Sequence, residues 1–141
     1  MNLSVSPELS SELRYEDEYI RKVLDRVKTI AMVGASPNWV RPSNFVMKYL
    51  QGKGYKVIPV NPFSVGKKIN GEVVVEKLED IKIPIDIVNI FRPSKEASAI
   101  AQQAIKIGTK VLWLQFGIEN EEARKIVESN LLVLTFIIRS F

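Results

Sequence analysis

Residues 29–37 read Thr-Ile-Ala-Met-Val-Gly-Ala-Ser-Pro, an apolar run that stops at a glycine. An uninterrupted apolar run predicts a strand buried on both faces, and Gly34 lets the chain turn tightly after it. Further apolar runs, which predict four more strands, lie at residues 55–60, 85–91, 110–114 and 131–138. A short edge strand over residues 73–75 and a helical turn over residues 76–80 are also expected. Buried strands that alternate with helices are typical of an α/β protein with a doubly wound, mainly parallel sheet of five strands and helices on both faces.

Apolar residues at helical spacing predict the helices that connect these strands. The expected helices cover residues 12–28, 44–51, 95–107 and 121–129. Ser94 and Asn120 stand where the caps of the last two are expected. Residues 1–11 are expected to be a loose lead-in to a single domain that spans residues 1–141.

The composition removes several classes of chemistry. The chain has 141 residues, of which 46% are hydrophobic and 26% charged, so it is expected to be globular. It contains no Cys and no His, which excludes disulfides, thiolate nucleophiles, His–metal sites and Ser-His-Asp catalysis. The polar N-terminus does not predict a signal peptide, and no apolar run is long enough for a bilayer. We therefore expect a soluble, cytoplasmic protein without a membrane partner.

The charge is distributed unevenly along the chain. The net charge is +4, and residues 26–71 contain eight Lys or Arg but no Asp or Glu. A one-sided stretch of this kind favours an anionic partner. The basic residues are dispersed and not interleaved with aromatic residues, so a nucleic acid is not the expected partner.

The residues after each predicted strand are the candidates for a site, because ligands of doubly wound sheets bind at the carboxyl ends of the strands. Gly34 and the helix that follows can bind a phosphate, and Arg41 in the intervening loop strengthens that interpretation. The remaining glycines of a dinucleotide fingerprint are missing. After the second strand, Asn61-Pro62 stands where an NAD site needs an acidic residue. Lys67 and Lys68 follow instead, which suits a ribose with an extra phosphate, as in NADP or coenzyme A.

Candidates also follow the later strands. The same crevice can be faced by Phe91, Arg92 and Gln115. Trp39 can either cover a ligand or take part in a dimer contact. Asp86 begins the third strand and is expected at the opposite edge of the sheet. No pair of acid and base residues with catalytic spacing is apparent.

Together these residues resemble a known family. The matching stretches are residues 30–37 (IAMVGASP), 41–43 (RPS), 46–50 (VMKYL), 54–62 (GYKVIPVNP), 86–92 (DIVNIFR) and 110–115 (KVLWLQ). They resemble the small stand-alone CoA-binding proteins over about residues 20–134. The Rossmann-like domain of that family is similar to the CoA-binding N-terminal domain of the succinyl-CoA synthetase alpha subunit.

The resemblance implies a site for coenzyme A or an acyl-CoA. Its phosphate turn would be formed by Gly34, Ala35 and Ser36, with Arg41 near the diphosphate. The adenosine end would be held by Asn61, Pro62 and Lys67 or Lys68. The remaining rim would be formed by Phe91, Arg92 and Gln115. Residues 134–137 (LTFI) depart from the Met-Asp-Arg-Cys-like segment usual in the family, so chemistry that uses its thiol is not expected here.

Three functions remain open from the sequence. The first is a CoA-binding carrier, sensor or regulatory module without chemistry of its own, which the lack of His, Cys and a catalytic dyad favours. The second is an NADP-dependent or acyl-CoA-handling enzyme subunit. The third is a protein-interaction domain without a ligand. Either a homodimer or a complex with a partner protein is compatible with the sequence.

Overall fold

A computed structural model describes residues 17–114, Glu122, Lys125 and residues 135–138. In this part of the chain the helices are α1 (Asp17–Arg26), α2 (Pro42–Gly52) and α3 (Ala97–Lys106). The strands are β1 (Thr29–Val33), β2 (Lys56–Val60), β3 (Lys68–Ile69), β4 (Glu72–Val73), β5 (Ile87–Ile90), β6 (Val111–Leu114) and β7 (Thr135–Ile138). The 3₁₀ turns Leu78–Asp80 and Ser94–Glu96 precede β5 and α3.

Five of these strands form one parallel sheet in the order β2-β1-β5-β6-β7. The predicted α/β class and the Rossmann-like parallel sheet are confirmed. The chain forms β2 on one side of β1 and then crosses to the other side, where β5, β6 and β7 follow one another outward. The strand order therefore reverses between β1 and β5, which is where doubly wound sheets bind ligands.

The core lies on both faces of β1, β5 and β6. In the middle of the sheet Ile30 pairs with Val57 on one side and with Ile87 on the other, and all three are fully buried. Trp113 on β6 is 1% exposed and lies in the core. The buried face of α3 contains Ala97, Ala101 and Ala104, whose small side chains let the helix lie close to the sheet.

The predicted elements agree with the structure except in detail. The turn expected over residues 76–80 is the 3₁₀ turn, and the expected edge strand is displaced to β4, with Val75 bridging to Val60. The prediction that Ser94 caps a helix is wrong. Ser94 is the first residue of the 3₁₀ turn that follows Pro93, and Glu96 is the N-cap residue of α3.

None of the described helices is long and apolar enough to cross a bilayer.

Some predictions fall where the chain is not described. They are the lead-in over residues 1–11, the start of the first helix over residues 12–16, the cap at Asn120 and the first part of the last strand over residues 131–134. Of the helix predicted over residues 121–129, Glu122 and Lys125 are described, and both are helical.

The amino edge of the sheet is held by Asp86. Its Oδ2 accepts hydrogen bonds from the backbone N–H groups of Lys28 (2.8 Å) and Thr29 (3.2 Å), which join the start of β1 to the start of β5. Asp86 is thus far along the strands from their carboxyl ends, as its place in the sequence predicted, and its role here is structural.

The carboxyl edge is shaped by the turn at Gly34. Its N–H donates to the Val60 carbonyl oxygen (2.8 Å), and the Phe91 N–H donates to the Val33 carbonyl oxygen (2.8 Å). Gly34 has a φ of +90°, and a Cβ atom there would lie 2.8 Å from both the Phe91 carbonyl oxygen and Arg92 Cδ. Glycine is required because the backbone ends of β1 and β5 approach too closely for any side chain.

We expect Gly34→Ala to destabilise the protein by at least about 1 kcal/mol more than Gly54→Ala, because overpacking adds to backbone strain. Gly54 is a matched control, since its φ is +95° and nothing lies within 4 Å of the position that an alanine methyl group would take there. Urea unfolding of both variants would test this. Equal losses of unfolding free energy would show that the approach of Phe91 imposes no constraint.

Candidate functional site

A polar cleft lies at the carboxyl edge, at the reversal of strand order. It has a volume of about 310 Å³. It is lined by Gly34, Ser36, Arg41, Pro42, Ser43, Asn61, Phe91 and Arg92. These residues come from the segments after β1, β2 and β5 and from the start of α2, so one cleft receives contributions from four parts of the chain. None of the described residues that line it is acidic.

A second, apolar cleft adjoins the first and has a volume of about 350 Å³. Gly34 and Arg92 line both clefts. The apolar part of its lining is Val33, Val60, Pro62, Phe63, Leu78 and Ile100. The polar part is Glu76, Lys77, Glu96 and Gln103. Among the described residues of its lining, the formal charges of Glu76, Lys77, Glu96 and Arg92 sum to zero. A ligand that spans both clefts would place one end beside cationic groups and the other in surroundings whose charges balance.

The loop after β1 is fixed against the first turn of α2. The Ser36 N–H donates to Ser43 Oγ (3.1 Å), and Asn44 Nδ2 donates to the Ser36 carbonyl oxygen (2.9 Å). Ser36 Oγ in turn accepts from the Asn38 N–H (3.1 Å). Ser43 and Asn44 are both 3% exposed. The loop therefore has a defined shape before any ligand arrives.

The N-terminus of α2 lies at the polar cleft. Arg41 is its N-cap and Pro42 follows, and within the described part of the chain no side chain caps the helix and no acidic residue lies in its first turn. The first backbone N–H groups of a helix lack intrahelical partners and carry the positive end of its dipole. In this helix Pro42 has no N–H, and the N–H groups of Arg41 and Asn44 donate to the carbonyl oxygens of Asn38 and Arg41 (3.0 Å each), so the Ser43 N–H remains. Together with the exposed Arg41 guanidinium, it makes this side of the cleft suitable for an anion.

Asn61 joins the loops after β1 and β2. Its Nδ2 donates to the Ala35 carbonyl oxygen (2.8 Å), and its Oδ1 accepts from the Phe63 N–H (2.9 Å). Both polar atoms of the side chain therefore already hold protein groups. The main role of Asn61 is therefore to hold the two loops together. The second N–H of its amide group remains available to a ligand.

Arg92 stands between the two clefts and is paired with Glu96. Its Nε–H donates to Glu96 Oε1 (3.1 Å) and its Nη2–H to Oε2 (2.8 Å). The two side chains are 33% and 38% exposed. Through the hydrogen bonds, Glu96 raises the pKa of Arg92, and Arg92 lowers the pKa of Glu96. Both groups are thus held in their charged forms.

The structure brings together most of the residues predicted for the site. Gly34, Ser36, Arg41, Asn61, Phe91 and Arg92 line the polar cleft, and Pro62 lines the apolar one. Ala35 is buried and faces Asn61 with its carbonyl group. Lys67 and Lys68 are exposed and line neither cleft. Trp39 is 68% exposed and also lines neither, and Gln115 lies outside the described residues.

The lining residues that were not predicted include Pro42 and Ser43 in the polar cleft and Phe63 in the apolar cleft. Pro42 and Ser43 occupy the first two positions of α2, and a signal for them was present, since proline favours the first turn of a helix. Phe63 is 81% exposed and follows Asn61-Pro62 at the apolar cleft. An exposed aromatic residue gives no sequence signal of its own, because its exposure depends on the path of the loop.

Known proteins are similar to this chain over most of its length. The profile of the family described as CoA binding domain matches residues 28–135. An uncharacterised protein of Bacillus subtilis, YneT, is 39% identical over 109 residues, which cover 77% of this chain and 79% of that protein.

Solved structures with the same fold are also similar in sequence. A hypothetical protein from Pyrococcus horikoshii is 38% identical with a TM-score of 0.82, and the match covers 90% of this chain and 88% of the other. A Thermus thermophilus protein described as cell-free ID.343 is 33% identical with a TM-score of 0.82, covering 88% and 91%. The fold is that of a Rossmann-like domain, and the chain belongs to the CoA-binding domain family.

The Arg92–Glu96 pair predicts a pH dependence of stability. Because the pKa of Glu96 is lower in the folded state, the pair stabilises the protein above the unfolded-state pKa of a glutamate, and this contribution disappears as pH falls through the lower folded-state value. We expect wild type to be more stable than Glu96→Gln at pH 7, and the difference to shrink in acid. Urea unfolding of both proteins at pH 7 and near pH 3 measures it. A difference that does not change with pH would contradict the assignment.

Proposed function

We propose that the chain binds coenzyme A, or an acyl-CoA, across the two clefts. The observation that carries the proposal is the convergence on one cleft of the Gly34 turn, the uncapped N-terminus of α2, Arg41 and Arg92. In a chain of the CoA-binding domain family, a cleft whose described lining contains no acidic residue suits the diphosphate of the ligand.

The diphosphate would lie against the loop after β1. Gly34 lets it approach the backbone, and the Ser43 N–H at the start of α2 and the Arg41 guanidinium supply donors. Hydrogen bonds from charged groups are stronger than neutral ones, and the bonds from Ser36 to α2 keep the loop in place. The site therefore requires little ordering of the protein on binding.

The adenine ring would occupy the apolar cleft. Phe63 and Pro62 lie at its mouth, and the exposed Phe63 ring offers a face on which a base can stack. The charges around the cleft balance, which suits an uncharged base better than another phosphate.

Lys67 and Lys68 would recognise the 3′-phosphate of the ribose. They lie at the β3–β4 hairpin, which continues from Pro62 and is attached to β2 through the Val60–Val75 bridge. Among the described residues, neither ammonium group forms an ion pair. We therefore place the 3′-phosphate of the ribose, which would be exposed beside the adenine, next to these two lysine side chains.

The role we propose is that of a carrier, sensor or regulatory module without chemistry of its own. The full sequence contains neither His nor Cys. The carboxylate nearest to the cationic groups of the site, Glu96, is ionised and engaged by Arg92, and its lowered pKa makes it a weak general base. These features support a binding function.

Calorimetric titration of the ligand-free protein with CoA tests the proposal. We expect saturable binding of one CoA per chain, and Arg41→Ala should weaken it by about 10- to 100-fold, as for a hydrogen bond from a charged group. Lys110→Ala is the control, because Lys110 is exposed and precedes β6 at the opposite edge of the sheet. A folded protein that does not bind CoA, or equal weakening by both variants, would refute this assignment.

Recognition of the 3′-phosphate has its own test. We expect Lys67→Ala with Lys68→Ala to weaken CoA binding by roughly tenfold or more and to leave dephospho-CoA binding unchanged, because dephospho-CoA lacks the group that the lysines would contact. The same calorimetric titration with both ligands measures the ratio. If the two ligands lose affinity equally, the lysines do not read the 3′-phosphate.

A further inference from the structure

Arg92 forms part of the wall that the two clefts share. Its Cδ atom lies 2.8 Å from the position that a Cβ on Gly34 would take, so the stem of the side chain crosses directly over the turn. It is also a lining residue of both clefts. A ligand that extends from one cleft to the other must therefore pass this guanidinium.

Glu96 fixes the orientation of that guanidinium. It receives two hydrogen bonds, from Nε and Nη2 of Arg92, and this fork allows one planar arrangement rather than a range of them. Glu96 ends the 3₁₀ turn Ser94–Glu96 and stands at the N-cap position of α3, so the fork is attached to a defined element.

The fork leaves part of Arg92 available. A guanidinium has five N–H donors, of which Glu96 accepts two, so three remain. Glu96 lines the apolar cleft and not the polar one, whereas Arg92 lines both. An anion in the polar cleft can thus bind the remaining donors while the ion pair stays intact.

We propose that Glu96 is a positioning residue for the phosphate groups of the ligand. It holds Arg92 in the orientation that binds an anion in the polar cleft, and it neutralises Arg92 on the side of the apolar cleft. This inference rests on the proposed function and assigns to an acidic residue a favourable part in binding an anionic ligand.

The sign of the effect separates this role from simple electrostatics. Glu96 carries a negative charge close to the site, so its removal should tighten the binding of an anionic ligand if only charge mattered. If Glu96 positions Arg92, its removal leaves a long side chain that must be ordered when the ligand binds, and affinity falls.

The experiment is a calorimetric titration with CoA of wild type, Glu96→Gln, Arg92→Ala and the double variant, with melting temperatures measured in parallel. We expect Glu96→Gln to weaken CoA binding by about tenfold. In the Arg92→Ala background the same change should have no weakening effect, because Glu96 acts through Arg92. A merely structural role of Glu96 would weaken binding in both backgrounds.

Glu79→Gln is the matched control. Glu79 is exposed on the 3₁₀ turn Leu78–Asp80 and lines neither cleft, so its neutralisation makes the same change in net charge and should alter CoA affinity less than about twofold. CoA binding by Glu96→Gln that equals or exceeds that of wild type would overturn the positioning role while leaving the proposed function in place. Failure of wild type to bind CoA would overturn both.

Discussion

The site depends on the close approach of two backbone segments, the turn at Gly34 and the carbonyl group of Phe91. This approach exists because β1 and β5 are neighbours in the sheet although the chain passes through β2 between them. Their ends diverge in the directions of α2 and α3, and the space left between these paths forms the clefts. A glycine at the end of β1 therefore serves both the sheet and the site.

Much of the fold could be predicted from the sequence, and the reason is the burial of the sheet. Strands buried on both faces are uninterrupted apolar runs, and the run at residues 29–33 coincides with β1. Element ends were harder to predict, because capping depends on local geometry. Ser94 has the chemistry of a cap, but a 3₁₀ turn begins at this residue, and the N-cap position of α3 falls on Glu96, whose side chain makes no capping hydrogen bond.

The candidate site was predictable to the extent that it follows strand ends. Gly34 comes directly after β1 and Arg92 two residues after the end of β5, so the topology alone brings them together. The pairing of Arg92 with Glu96 and the exposure of Phe63 were not predictable. The former depends on a side-chain orientation across a 3₁₀ turn, and the latter on the path of a loop. Sequence motifs thus located the edge of the sheet, and the three-dimensional structure divides that edge into a cationic part and a neutral part.

Binding of CoA at the carboxyl edge of the sheet is tested most directly by backbone amide chemical shifts. They are measured on ¹⁵N-labelled protein as CoA is added. We expect the largest changes at Gly34, Ser36 and Ser43, while Lys28 and Thr29 at the amino edge remain unchanged. Large changes at the amino edge, with none around the Gly34 turn, would contradict binding at the carboxyl edge.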